Sequence, residues 1–92
     1  MSDMKSDKKR LTLYIRDYCM YCSRVLRAAQ QLDLELEVRN IWQDRSYEQE
    51  LLEATGRRMV PVLAISKGGS GQTWMPESRD IIRYLESESR TD

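Results

Sequence analysis

The sequence predicts a single α/β domain built on a parallel strand–helix–strand unit, and three observations carry that prediction. Leu11-Thr12-Leu13-Tyr14-Ile15 alternates with the two-residue period of a strand. Cys22, Val25, Leu26, Ala29 and Leu32 then recur at the spacing of one face of an amphipathic helix. Leu34-Glu35-Leu36-Glu37-Val38 alternates again and reads as a second strand. A helix between two strands implies parallel pairing, with a crossover that is right-handed in nearly all cases.

Between the first strand and the first helix lie the two cysteines of the 92-residue chain, Cys19 and Cys22, in C-x-x-C spacing. The first turn of a helix presents unpaired N–H groups and the positive end of the macrodipole, both of which favour a thiolate. The dipole alone contributes only about 0.3–1 kcal/mol. Hydrogen bonds from the N–H groups of Tyr21 and Cys22 are needed as well, with Arg16 as a nearby cation. Cys19, at the exposed helix mouth, is the expected nucleophile. Cys22 begins the apolar stripe and is the expected, more buried, resolving thiol. A structural disulfide closing so short a loop constrains the unfolded chain little. Tetrahedral zinc wants four ligands, and one chain offers two cysteines and no histidine. Two chains sharing four cysteines, or two inert core thiols, remain open on the residues alone.

Further along, Ser46-Tyr47-Glu48-Gln49 has the form of a capping box, with Asp44 as the alternative cap. Tyr47, Leu51 and Ala54 give this second helix an inward face, Glu48, Glu50 and Glu53 a solvated one, and Gly56 its stop. Met59-Val60-Pro61-Val62-Leu63-Ala64-Ile65 reads as a third strand, with the proline tolerable at its start. Lys67 to Gly71 is a turn, and Thr73-Trp74-Met75 closes a hairpin as the fourth strand. No helix directly follows Gly68, Gly69 and Gly71, which disfavours a phosphate loop. Pro76-Glu77-Ser78-Arg79-Asp80 opens a last helix whose apolar residues are Ile81, Ile82 and Leu85.

Fifteen basic and fifteen acidic side chains balance, so the composition points to no polyanionic partner such as nucleic acid. Residues 1–9 are polar and read as a disordered tail, residues 10–89 as the domain and 90–92 as a second tail. The N-terminal segment lacks the apolar core of a secretory signal, and the sequence contains no membrane-length apolar run. A reducing cytoplasm is the expected compartment, where a C-x-x-C pair is catalytic more often than structural.

Three segments resemble a known family over about Arg10 to Glu88. Cys19-Met20-Tyr21-Cys22 resembles the C-P-Y-C site of dithiol glutaredoxins, and Val60-Pro61 their Thr-Val-Pro motif. Pro76 to Ile81 stands where they carry Gly-Gly-Cys/Ser-Asp. Met75-Pro76-Glu77-Ser78-x-x-Ile81 is closer to the glutathione-binding segment of glutathione transferases and of the larger bacterial glutaredoxin built on that fold. The chain therefore resembles the thioredoxin-like half of such a protein standing alone. That implies a thioredoxin-like fold, with a four-stranded mixed sheet in the order 2-1-3-4 and three flanking helices. It also implies a cis Pro61, with the Val60 backbone facing the cysteinyl part of glutathione. Glu77 and Ser78 would hold its γ-glutamyl end. Tyr21 and Met59 would line the site, and Arg16, where a lysine is usual, would meet the glycyl carboxylate bidentately.

Met20 and Met59 depart from the family's proline and threonine. Met20 returns an N–H to the first helical turn and removes a rigid ring. The expected activity is glutathione-dependent thiol–disulfide exchange by a monomer. Its catalytic residues are Cys19 and Cys22, its co-substrate is glutathione and it needs no metal. Its clients would be proteins bearing disulfides or mixed disulfides with glutathione. The alternatives are a dimer bridging a [2Fe–2S] cluster through Cys19 and glutathione, and a glutathione-binding domain without redox turnover.

Overall fold

The central strand β1 (Lys9–Ile15) pairs with neighbours on both sides in the computed structural model, which describes residues 9–67 and 71–89. The tails expected at residues 1–9 and 90–92 otherwise lie outside the described residues, as does the middle of the glycine-rich turn. Lys9 itself belongs to β1, because antiparallel pairing runs on from Leu11↔Ile65 to Lys9↔Lys67.

α1 (Met20–Gln31) follows, and then β2 (Glu37–Asn40), parallel to β1 from Thr12↔Glu37 to Ile15↔Asn40. α2 (Arg45–Thr55) leads to β3 (Val62–Lys67), β4 (Gln72–Met75) and α3 (Ser78–Ser89). β3 is antiparallel to both β1 and β4, and the sheet order is β2-β1-β3-β4. This is the thioredoxin-like fold, with the mixed sheet and three helices that the sequence predicts.

The two-residue period of the inner strands divides the core in two. Leu13, Leu63 and Ile65 face Val25 and Ala29 of α1 and Ile81 and Leu85 of α3. Tyr14, Val62 and Ala64 face Leu51 of α2 and Ile41 on the other side. Leu13, Leu51, Leu63, Ile81 and Leu85 are fully buried, each worth roughly 1.5–3 kcal/mol of transfer free energy.

Several expectations change in the structure. β2 begins at Glu37 rather than Leu34, because Asp33 takes a left-handed turn (φ 58) after α1. Leu34 and Leu36 pack against the α1/α3 core from the connection that follows, so their alternation reflects packing rather than ladder pairing. α2 is capped by Asp44, whose carboxylate accepts from the Ser46 N–H at 2.9 Å and the Ser46 hydroxyl at 2.7 Å. Ala54 is exposed instead of inward. Glu50, expected in solvent, accepts from the Tyr14 hydroxyl at 2.9 Å and from Arg39 at 2.6 Å.

β3 starts at Val62, where pairing with Tyr14 begins, so Met59, Val60 and Pro61 stand ahead of the ladder. Pro61 has no N–H to donate to it. Gly56 ends α2 with φ 77, the left-handed conformation that glycine adopts without steric cost.

Candidate functional site

Cys19 is the N-cap of α1. Its extended backbone (φ −113, ψ 110) turns the side chain back over the first turn, where Sγ accepts the Cys22 N–H at 3.1 Å. That is the acceptor position of a capping serine, filled by sulfur. Tucking the sulfur over the helix also buries the residue to 8 % exposure, which corrects the expectation of an exposed mouth. Cys22 is deeper still, at 2 %. Of the two N–H groups expected to reach the sulfur, Cys22's does so. The Cys19 carbonyl accepts from the Ser23 N–H at 3.1 Å and from its hydroxyl at 3.2 Å, which fixes the cap's backbone.

The two thiols are free and chemically unlike. Burial pushes the Cys22 thiol up to about 12, helped by its hydrogen bond to Cys19 and by that neighbour's charge, against the Arg16 N–H and guanidinium. At neutral pH Cys22 is therefore a protonated donor beside the Cys19 sulfur.

Two concavities flank the cysteine turn. One, of about 630 Å³, brings together Tyr21, Met59, Val60, Pro61, Glu77 and Ser78, six of the seven residues expected to bind glutathione. The Val60–Pro61 peptide is cis, as the resemblance implies. Glu77 immediately precedes α3, and its carbonyl accepts the Ile81 N–H at 2.8 Å. The groove thus ends at a helix N-terminus, where an anion is favoured.

The seventh residue, Arg16, lies elsewhere. It lines a second cavity of about 480 Å³ with Asp17, Tyr18, Cys19, Met20, Cys22 and Asn40. Its guanidinium donates to the carbonyls of Asp17 at 3.0 Å and Tyr18 at 3.3 Å, and sits 5.2 Å from the Trp42 ring centroid. These contacts hold the turn in which Tyr18 takes a left-handed conformation (φ 57). Asn40 adds to the hold: it donates to Asp17 at 3.0 Å and accepts from the Trp42 N–H at 2.9 Å.

Arg24, Arg79, Asp80 and Ile82 complete the larger groove without having been singled out from the sequence. Arg24 had a readable signal, three residues beyond Tyr21 on a helix, a spacing that puts both on one face. Asn40 and Trp42 had none, because their place depends on where β2 ends. Around the site Tyr18, Met20, Tyr21, Trp42 and Met59 are all exposed.

The family known as glutathione S-transferase, N-terminal domain, matches residues 13–91, nearly the whole described chain. The chain belongs to that family.

As a transferase N-terminal domain it is similar in fold to several solved structures. A glutathione transferase homologue of Drosophila mojavensis with bound glutathione superposes with a TM-score of 0.70 at 21% identity, over 92% of this chain and 37% of the other. Glutaredoxin 2 of Salmonella typhimurium in complex with glutathione gives 0.69 at 26% identity, over 90% and 35%. Maleylacetoacetate isomerase of Anaeromyxobacter dehalogenans with glutathione in its active site gives 0.68 at 22% identity, over 92% and 40%. The chain spans 35–40% of the length of these three structures. No curated protein sequence matches it significantly. Among the described residues no helix is long and apolar enough to cross a membrane.

Proposed function

We propose that this domain binds glutathione in the Tyr21–Val60–Ser78 groove and uses Cys19 to reduce disulfides and glutathione mixed disulfides of client proteins. The observation that carries the reading is the pairing of a capped sulfur with a protonated neighbour. The Cys19 sulfur accepts the N–H of Cys22 at 3.1 Å over the first turn of α1, while the Cys22 thiol is held protonated by burial. The family match, and the relatives with glutathione bound on the same fold, support the choice of ligand.

In the first step the Cys19 thiolate attacks the glutathione sulfur of a mixed disulfide. A Cys19–glutathione bond forms, the client–glutathione bond breaks, and the client leaves as a thiolate that takes a proton from water. A second glutathione thiolate then attacks the bound glutathione sulfur, releasing glutathione disulfide and the Cys19 thiolate. The second glutathione supplies the reducing electrons. A client disulfide is opened by the same attack, and Cys22 or glutathione resolves the product. Within the groove, Val60 offers backbone hydrogen bonds beside Pro61, Tyr21 and Met59 form apolar walls, and Glu77 and Ser78 hold the γ-glutamyl end. Arg16 acts on the turn that carries Cys19 rather than on the glycyl carboxylate.

The test is reduction of a small mixed disulfide of glutathione, coupled to NADPH through glutathione reductase. NADPH oxidation that requires both protein and glutathione is expected. A rate no higher than the uncatalysed one overturns the reading.

A further inference from the structure

Arg24 stands on the groove side of α1, with its guanidinium 5.7 Å from the Tyr21 ring centroid. A guanidinium attracted to an aromatic ring can still donate from its N–H fork. Among the described residues no carboxylate pairs with it. Arg39 pairs with Glu37 and Glu50, and Arg58 with Glu48. Arg16, the cation that the sequence assigns to a ligand carboxylate, is committed to two backbone carbonyls and the Trp42 ring on the other side of the cysteine turn.

The start of α3, with Glu77 and Ser78, lines the same groove as Arg24. An α-amino acid head carries an ammonium and a carboxylate on one carbon, so its receptor needs an acid and a base within a few ångströms. Glu77 supplies the acid. Arg24 and Arg79 are the groove's two cations, and Arg24 is the one that an aromatic contact orients.

Resting on the glutathione reading above, we propose that Arg24 is a specificity-determining residue. Its guanidinium pairs with the α-carboxylate of the ligand's γ-glutamyl group, while Glu77 takes the α-ammonium. The groove thereby selects peptides with a free γ-linked amino acid head over simple thiols and over peptides lacking that carboxylate.

Calorimetric titration of the reduced protein tests this with glutathione, with its analogue carrying 4-aminobutyryl in place of γ-glutamyl, and with its glycyl ethyl ester. Wild type is expected to bind glutathione and its ester more tightly than the analogue. Arg24→Gln should weaken glutathione and ester binding about two- to fivefold, the range of a partly exposed ion pair, and leave the analogue unchanged. Arg24→Lys should fall between, since a point charge replaces the fork. Equal weakening of all three ligands, or of none, overturns the assignment, as does an effect that disappears with the ester instead of the analogue. The wild-type comparison alone also decides, because equal affinity for glutathione and analogue leaves Arg24 no carboxylate to recognise. Failure of wild type to bind glutathione at all overturns the functional reading itself.

Discussion

The side-chain amide of Asn40 donates to a carboxylate oxygen of Asp17 at 3.0 Å, tying the end of β2 to the turn that carries Cys19. Its carbonyl oxygen also accepts from the Trp42 N–H, so one side chain fixes both that turn and the ring beneath Arg16. Asn40→Ala is expected to lose about 1.5–3 kcal/mol in urea unfolding, the range for one hydrogen bond to a charged group. It should also slow alkylation of Cys19, as the turn loosens. A variant as stable and as reactive as wild type means that the pair is incidental.

Cys19 and Cys22 should behave differently on substitution. Cys19→Ser removes the nucleophile and should abolish turnover of glutathione mixed disulfides. Cys22→Ser should leave most of it, because a thiol pushed up to about 12 resolves slowly at neutral pH and a second glutathione can do so instead. Equal loss in both variants would show that resolution by Cys22 is obligatory.

Cys22 also makes stability depend on pH. Its folded value lies above the ordinary thiol range, so between about pH 9 and 12 the unfolded chain releases a proton that the fold retains. Stability is therefore expected to fall as pH rises through that window, by at most about 1.4 kcal/mol per pH unit from this group. Tyr14, raised first by burial and then by Glu50, contributes in the same direction at the alkaline end. Urea midpoints measured from pH 8 to 11 should drop less steeply in Cys22→Ala than in wild type. Parallel curves would exclude Cys22 as a source.

Glu77 distinguishes ligand binding from helix capping. If it accepts the α-ammonium of glutathione, Glu77→Gln raises KM for glutathione-bearing substrates several-fold with kcat little changed, the pattern of lost uniform binding. An acid that serves only the N-terminus of α3 would show a small loss of stability and an unaltered KM. Steady-state kinetics and thermal unfolding on the one variant separate the two.

The half-buried cluster under α2 supplies a control away from the groove. Glu50 accepts from both Tyr14 and Arg39, and Arg39 lies 5.3 Å from the Tyr47 ring centroid. Tyr14→Phe should cost about 0.5–1.5 kcal/mol and leave glutathione binding intact. A binding loss larger than twofold would mean that this cluster couples to the groove through Val60, which packs against it.

The sequence by itself determined the order of strands and helices and the seating of Cys19 and Cys22 at a strand–helix junction. Through a resemblance in motif it also pointed to Val60-Pro61 and Glu77-Ser78 as candidate site segments. These are local properties: an alternating or 3.6-residue apolar period, a cap, or a motif acts through neighbours a few positions away, so it is written where it acts. Leu34 and Leu36 mark the limit, since the same alternation serves a ladder or a packed connection, and only the register with β1 decides between them. Glu50 marks it again, an acid on a polar helix face until Tyr14, 36 residues away, reaches it. The division of the two cations was likewise a tertiary decision. Arg16 precedes the cysteines in sequence, yet the carbonyls of its own turn and the Trp42 ring draw it away from the groove. Arg24 enters the groove because α1 lies across from α3, and that crossing is set by the burial of Val25, Ala29, Ile81 and Leu85 in one core.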